Sequence, residues 1–105
     1  MRTLSFIVDG QTIKKDPKCD FEHIVSGTKG YLKAHFTFSS EWESCVKVAR
    51  FFRGSKEVAV VLENDECFIP DYALVGTTFR VGAIGAYDNY RITTGTIAIR
   101  QEVSK

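Results

Sequence analysis

Histidine and cysteine are the side chains of this sequence best suited to metal binding or nucleophilic catalysis. Only two histidines occur, His23 and His35, and the three cysteines, Cys19, Cys45 and Cys67, are widely spaced. A zinc site needs three or four ligands, usually with a closely spaced pair, and this spacing provides none. A Cys–His pair that meets only in space stays open, but apolar neighbours favour cysteines buried as small hydrophobic residues. We expect neither a metal site nor a catalytic cysteine.

Carboxylates and glycines offer two further kinds of chemistry. Glu41 and Glu43 lie in a serine-containing turn, the usual place for solvated acids, and give no support for a glycosidase dyad. Gly82 and Gly85, in Val-Gly-Ala-Ile-Gly-Ala, resemble a nucleotide-binding pattern, but that motif requires a helix after the glycine turn. Here strand residues continue on both sides, and glycines inside a strand mark a bulge or a close approach of another backbone. The sequence therefore predicts no enzyme, no catalytic residue and no cofactor.

The aromatic residues allow two interpretations. Trp42 lies between two strongly apolar strands, which favours a structural ring buried at the end of the fold. If it were exposed near Tyr87 and Tyr90, the same ring would stack on a sugar or anchor a protein interface. The two tyrosines flank the Asp88-Asn89 turn, so at least one is expected to be exposed. We take Tyr87, Asp88, Asn89 and Tyr90 as candidate contact residues.

Short strands are expected to position these residues. The alternation of apolar and polar side chains that is typical of strands extends through almost the whole chain. In the clearest run, from Leu32 to Phe38, one face is apolar and the other carries Lys33, His35 and Thr37. Such alternation is typical of a half-buried strand with one wet face, which supplies further contact candidates. Structural roles are expected for Trp42, Phe36, Phe38, Pro70 and Gly82.

Turn signals separate the other strands. Asp9-Gly10 supplies a hairpin turn, Ser39 or Ser40 is expected to cap a single helical turn, and Pro70 to begin another. Strands are expected over residues 3–8, 11–13, 32–38, 46–53, 57–62, 66–69, 78–86, 90–94 and 96–101. Many short strands at this spacing predict one antiparallel β-sandwich or barrel.

The composition indicates a single soluble domain. A length of 105 residues with 44% apolar content is ordinary for one globular unit. The formal net charge of +1 gives no field that would recruit nucleic acid or an anionic membrane. The apolar run that ends at Asp9 is far too short for a signal peptide or a membrane span. An odd number of cysteines does not describe a secreted disulfide framework, so we expect free thiols and no membrane insertion.

Four segments, taken in order, resemble a known family. They are Phe36-x-Phe-Ser-x-Glu-Trp42, Lys47-Val-Ala-Arg-Phe51, Leu62-x-Asn-Asp-Glu-Cys-x-Ile-Pro70 and Val81-Gly-Ala-Ile-Gly85. Over roughly residues 30–100 this order is similar to the β-sandwich module of tail-fibre and baseplate proteins of phages and prophages of Gram-positive bacteria, in particular the N-terminal domains of baseplate upper proteins. The resemblance implies an immunoglobulin-like antiparallel β-sandwich of about eight strands, with at most short helical turns, as one domain over residues 1–105.

The resemblance also implies a function. The chain would be a non-enzymatic structural protein of the virion tail, made in the bacterial cytoplasm without a signal peptide. Its partners would be other tail or baseplate subunits, copies of itself or a host surface glycan. The family module usually precedes a receptor-binding region, whereas this chain ends at Lys105, which makes assembly the favoured task. Two alternatives stay open: a carbohydrate-binding module that uses exposed aromatic residues and, ranked last, a small hydrolase.

Overall fold

Short alternating segments separated by turns give the described part of the chain nine strands and one turn of 3-10 helix. The computed structural model describes residues 1–103. In chain order the elements are β1 (Arg2–Asp9), β2 (Thr12–Lys15), β3 (Leu32–Phe38), the 3-10 helix (Ser40–Trp42), β4 (Val46–Arg53), β5 (Lys56–Val61), β6 (Glu66–Phe68), β7 (Thr78–Tyr87), β8 (Tyr90–Thr93) and β9 (Ile97–Arg100). The prediction of an all-β fold is confirmed.

The strands form two sheets, named here sheet 1 and sheet 2. Sheet 1 has the order β2-β1-β3-β6, and sheet 2 has the order β5-β4-β7-β8 with β9 also paired to β7. β7 has ten residues, enough for two partners along one side. β8 pairs with its final residues, Ile84–Tyr87, and β9 pairs with its first residues, Thr78–Val81. The two sheets share one hydrophobic core, as a sandwich requires.

One pair of strands departs from the predicted antiparallel arrangement. β1 and β3 run parallel, with Arg2 opposite Leu32 and Val8 opposite Phe38. Parallel neighbours need a connection that returns the chain to the end of the sheet from which it started. Here β2 and the segment over residues 16–31 provide this connection. The sandwich is therefore mixed at this position and antiparallel in its other named pairs.

A single arginine at the start of β1 holds the returning segment. The Arg2 guanidinium donates through Nη1 to the backbone oxygen of His23 at 3.0 Å. Through Nη2 it donates to the backbone oxygens of Asp20 at 3.0 Å and Glu22 at 2.6 Å. These partners lie 18 to 21 residues from Arg2 in the sequence, so no local pattern predicts the contacts.

Aromatic rings occupy much of the core. Phe6 and Phe36, opposite each other on β1 and β3, stack with ring centroids 5.3 Å apart. Phe38 continues this row to Trp42, with centroids 4.9 Å apart. The buried side chains that sheet 2 contributes to the same core are Ala49, Phe51, Phe79, Val81, Ala83, Ile92 and Ile99.

Ser39 precedes the 3-10 helix but does not cap it as expected. No hydrogen bond joins its side chain to the helix backbone. Instead its hydroxyl accepts the N–H of Gly10 at 2.9 Å and donates to the carboxylate of Glu41 at 2.8 Å. The serine therefore ties the hairpin between β1 and β2 to the 3-10 helix, a longer-range role than the capping pattern predicts.

Candidate interaction surfaces

The hairpin between β7 and β8 carries the tyrosine tip, residues Tyr87, Asp88, Asn89 and Tyr90. Tyr87 and Tyr90 are opposite each other, and their rings therefore lie on the same side of the hairpin. Asp88 adopts a φ of 55°, a left-handed conformation that Asp and Asn tolerate better than most residues. Tyr87 is 59% exposed and Tyr90 44%, and the Tyr90 hydroxyl donates to the backbone oxygen of Glu41 at 3.1 Å. The 3-10 helix thus holds Tyr90, while Tyr87 is the more exposed ring.

The outer side of β3 carries Lys33, His35 and Thr37. Lys33 and His35 are half-buried, and Thr37 is exposed. The Lys33 ammonium lies 3.5 Å from a carboxylate oxygen of Glu66 and 5.2 Å from the ring centroid of Phe68. Its charge is therefore already partnered within sheet 1. The tyrosine tip belongs to sheet 2, so the two predicted contact regions lie on different sheets.

Trp42 joins the two sheets from inside. Its side chain is fully buried, and its Nε1–H donates to the backbone oxygen of Gly10 at 2.9 Å. The ring covers Gly85 so closely that a Cβ atom there would lie 2.7 Å from its Cε3. A ring in this position cannot stack on a sugar. Of the three aromatic residues that the sequence suggested for a glycan platform, Tyr87 and Tyr90 are the two that are exposed.

Gly82 lies within β7, and Pro70 lies just before the turn that follows β6. A Cβ atom at Gly82 would lie 3.0 Å from the backbone oxygen of Gly95 and 3.2 Å from Cγ2 of Thr96. The connection from β8 to β9 therefore passes directly against Gly82. The carbonyl of Pro70 accepts the N–H of Ala73 at 3.0 Å, and the residues after Pro70 form a hydrogen-bonded turn rather than a helix.

A groove of about 430 Å³ lies beside His23. His23 Nδ1 is 2.9 Å from a carboxylate oxygen of Glu102, and both side chains are exposed. Lys15, another lining residue, places its ammonium 5.2 Å from the ring centroid of Phe21. Among residues 1–103, no group of three His, Cys, Asp or Glu side chains could hold a metal ion. Two side chains of the groove, His23 and Lys15, are thus engaged by neighbours within the chain.

All three cysteines are free and half-buried. The Sγ atom of Cys19 accepts the backbone N–H of Ser5 at 3.3 Å. Cys45 lies just before β4 of sheet 2, whereas Cys67 lies on β6 of sheet 1, and no disulfide joins them. Burial, with a smaller contribution from the charge of Glu66, raises the pKa of the Cys67 thiol to about 11.

This raised pKa predicts that Cys67 resists alkylation at neutral pH. Only the thiolate reacts, and at pH 8 about one Cys67 thiol in a thousand would be ionised. The rate of iodoacetamide labelling, followed peptide by peptide by mass spectrometry, should rise about tenfold per pH unit until the pH approaches 11. The chain unfolded in urea is the control, because there the rate should level off near the ordinary value of 9.0. A plateau near 9 in the folded chain would contradict the prediction.

An apolar patch covers one end of the outer face of sheet 2. The register places Val61, Val48 and Ile84 side by side on β5, β4 and β7. Val46 and Ala86 are paired in the next row. Val46 is 64% exposed and Val61 is 62% exposed. We call these five residues the outer patch.

Charged residues border the outer patch. Arg50 Nε lies 2.6 Å from a carboxylate oxygen of Glu57, and this hydrogen bond lowers the pKa of Glu57 and raises that of Arg50. Arg91 is opposite Ala86, and Arg80 lies farther along the same side of β7. The outer face therefore combines an apolar end with an excess of arginine.

The sequence pattern does not by itself reveal the outer patch. β4 places Val46 and Val48 on one side and Ala49 and Phe51 on the other, so it has no purely polar face. A strand of this kind is typical of a sheet covered on both faces. Only the sheet order shows that one of these apolar sides faces outward. The absence of a polar face on β4 is the feature of the sequence that could have predicted the outer patch.

Comparisons with protein-family models, with curated proteins and with solved structures found no match for this chain. Within residues 1–103, no helix has the length and apolar character needed to cross a bilayer.

Proposed function

We propose that the chain is a non-enzymatic structural protein of a phage or prophage tail, which binds neighbouring tail or baseplate subunits in the virion. The observation that carries the proposal is the outer patch. Monomeric proteins usually expose large apolar residues singly, and a contiguous patch with a polar border marks an interaction site. The motifs that resemble baseplate modules supply the class of partner.

The border of the outer patch fits a protein partner. Arginine is enriched at protein interfaces, where its guanidinium forms hydrogen bonds at the edge of an apolar centre. Arg91 stands beside Ala86 of the patch, and its row also contains Val46. A subunit that presents apolar side chains bordered by carboxylates would complement this face.

The proposal predicts that the chain is present in purified virions and that Val46→Glu removes it. A carboxylate placed within an apolar contact would lose its hydration, so incorporation should fall about tenfold or more. Tagged chains would be produced in a phage-producing host, and the amount of chain relative to the major tail protein would be measured by mass spectrometry of gradient-purified particles. Val75→Glu is the matched control, because Val75 is a 46% exposed valine outside the outer patch and outside both predicted contact regions.

Two results would contradict this assignment. One is the absence of the wild-type chain from purified particles, and the other is an undiminished amount of Val46→Glu in them. Because Val46 is exposed, the variant should keep its thermal unfolding midpoint within a few degrees of the wild type. This measurement separates lost binding from lost folding.

Carbohydrate binding is a second candidate, favoured by the tyrosine tip. Tyr87 and Tyr90 are directly opposed across their turn and both exposed, an arrangement that offers adjacent aromatic faces to a sugar ring. Glycan-array binding by the wild type that Tyr87→Ala abolishes, with an unchanged fold, would support this candidate. Silence on a broad array of bacterial cell-wall sugars would exclude it.

A further inference from the structure

The free edges of the two sheets differ in their protection. Unpaired strand edges associate with other strands unless charges, short length or interruptions prevent it. At one edge β2 carries Lys14 and Lys15, and at another β6 has three residues. The edge formed by β8 and β9 is interrupted between Thr93 and Ile97. β5, with the six residues Lys56–Val61, is the long edge that remains among the described strands.

The backbone of β5 has a defined set of outward groups. The N–H of Leu62 bonds to the carbonyl of Lys47 at 2.9 Å. Because antiparallel pairs alternate between bonded and non-bonded positions, the even-numbered residues of β5 bond to β4. The N–H and C=O groups of Glu57, Ala59 and Val61 therefore point away from the sheet. No strand within residues 1–103 pairs with this side of β5.

We propose that two copies of the chain associate through β5, antiparallel about a two-fold axis that passes between the Ala59 residues. In this register Ala59 faces Ala59 of the second copy, and Glu57 faces Val61. Each outward N–H and C=O of the three residues then finds a partner. A register centred on Glu57 would oppose two carboxylates, which is destabilising. The inference rests on the proposed assembly function, because it names one partner of the same module.

Two copies could associate either through the β5 edge or by stacking their outer faces, and the charged residues favour the edge. Stacked outer faces would bring together Arg80 and Arg91 of both copies, while the carboxylate of Glu57 is already bonded to Arg50. At the edge, Glu57 enters the pairing neutralised by Arg50, and Lys56 stands at the end of the strand. The formal net charge of +1 also gives two copies little long-range repulsion. The edge is therefore the self-complementary surface.

The size of this contact sets its strength. One six-residue strand buries less than the roughly 1,600 Å² of a standard stable interface. We therefore expect a weak dimer whose population rises with concentration. The pairing leaves most of the outer patch uncovered, so the dimer and a different subunit can bind the same chain together.

The first test is analytical ultracentrifugation of the wild type over a concentration series, beside Ala59→Lys and Ala98→Lys. In the dimer, Ala59→Lys would set two ammonium groups opposite each other at the axis. We expect it to raise the dissociation constant about tenfold or more. Ala98 is likewise exposed in sheet 2 but lies on β9, so its lysine variant should stay within about twofold of the wild type.

The second test reports the register. Opposed Ala59 residues would have Cα atoms about 5.5 Å apart. The two Val61 residues would lie two residues from the axis in opposite directions, so an offset of four residues along the strands would place their Cα atoms about 14 Å apart. A short bis-maleimide should therefore cross-link Ala59→Cys much faster than Val61→Cys. The wild type, with its three half-buried cysteines, gives the background.

Each unfavourable result has a distinct meaning. A wild type that is monomeric up to its solubility limit, an unweakened Ala59→Lys dimer, or equal cross-linking of the two cysteine variants would overturn the β5 pairing. If such a monomer still enters virions in a Val46-dependent way, only the pairing fails. If the chain dimerises as described but is absent from virions, the pairing stands and the tail assignment fails.

Discussion

Trp42→Ala is expected to lower the free energy of unfolding by about 3–5 kcal/mol, the usual loss for truncation of a buried tryptophan. The indole is fully buried, and its centroid lies 4.9 Å from that of Phe38. Its removal would leave a cavity and would also leave the carbonyl of Gly10 without the Nε1–H donor at 2.9 Å. Urea unfolding followed by circular dichroism measures the change.

The control for this change is an aromatic residue of the surface. Tyr31 is 49% exposed, and Tyr31→Ala should alter the free energy of unfolding by about 0.5 kcal/mol or less. The total free energy of unfolding of a domain of this size is about 5–15 kcal/mol, so Trp42→Ala would remove a large share of the stability. A loss of less than about 1 kcal/mol on Trp42→Ala would contradict the role assigned to its ring.

Gly85→Ala is expected to cost about 1–3 kcal/mol through overpacking. The added Cβ would lie 2.7 Å from Cε3 of Trp42 and 3.0 Å from Cβ of Cys45. The indole cannot move away easily, because it is held by the core and by its hydrogen bond to Gly10. Gly95→Ala is the matched control, since a Cβ there meets nothing within 4 Å, and its effect should be about 0.5 kcal/mol or less.

The two changes are also expected to be coupled. In the Trp42→Ala background the ring that opposes the new methyl group is gone, so Gly85→Ala should cost little or even fill part of the cavity. A double-mutant cycle would then give a coupling free energy of about 1 kcal/mol or more. Equal costs of Gly85→Ala in both backgrounds would show that the strain arises elsewhere, for example at Cys45.

Local patterns predicted most of the strands. The alternation from Leu32 to Phe38 and the apolar run from Val46 to Arg53 coincide with β3 and β4. This success has a physical reason, since side chains on one face of a strand recur every second residue whatever the rest of the fold does. Turns fixed by a local backbone requirement, such as the one at Asp88 with its positive φ, were equally visible.

Features set by distant contacts were not predictable in this way. The parallel pairing of β1 with β3 depends on a segment held by Arg2 through backbone oxygens far along the chain. An arginine that binds backbone carbonyl groups produces no recognisable pattern in the sequence. In addition, the same alternation of side chains suits a parallel and an antiparallel neighbour. The hydroxyl of Ser39 was misassigned for the same reason, because its partner Gly10 lies in the distant turn between β1 and β2.

The candidate site was only partly accessible from sequence. The order of residues predicted exposure of Tyr87 or Tyr90, because the two tyrosines flank a polar turn. Both are exposed in the structure. The outer patch was missed because Val46 and Val61 are valines in strands, which are usually buried. Whether an apolar strand face is exposed depends on how the sheets are arranged. Here the face is exposed because β5 is an edge strand and no described element covers that side of sheet 2.

The parallel pair also bears on how the chain acquires its structure during synthesis. Arg2 must find Leu32, and the other β1–β3 pairs are equally far apart in sequence, a separation that slows folding. At a synthesis rate of about 5–20 residues per second, β1 would wait roughly two to six seconds for β3. The hairpin with β2 can form within microseconds, but the opposite edge of β1 stays open throughout this interval. The nascent chain is therefore most vulnerable to mispairing at its first strand.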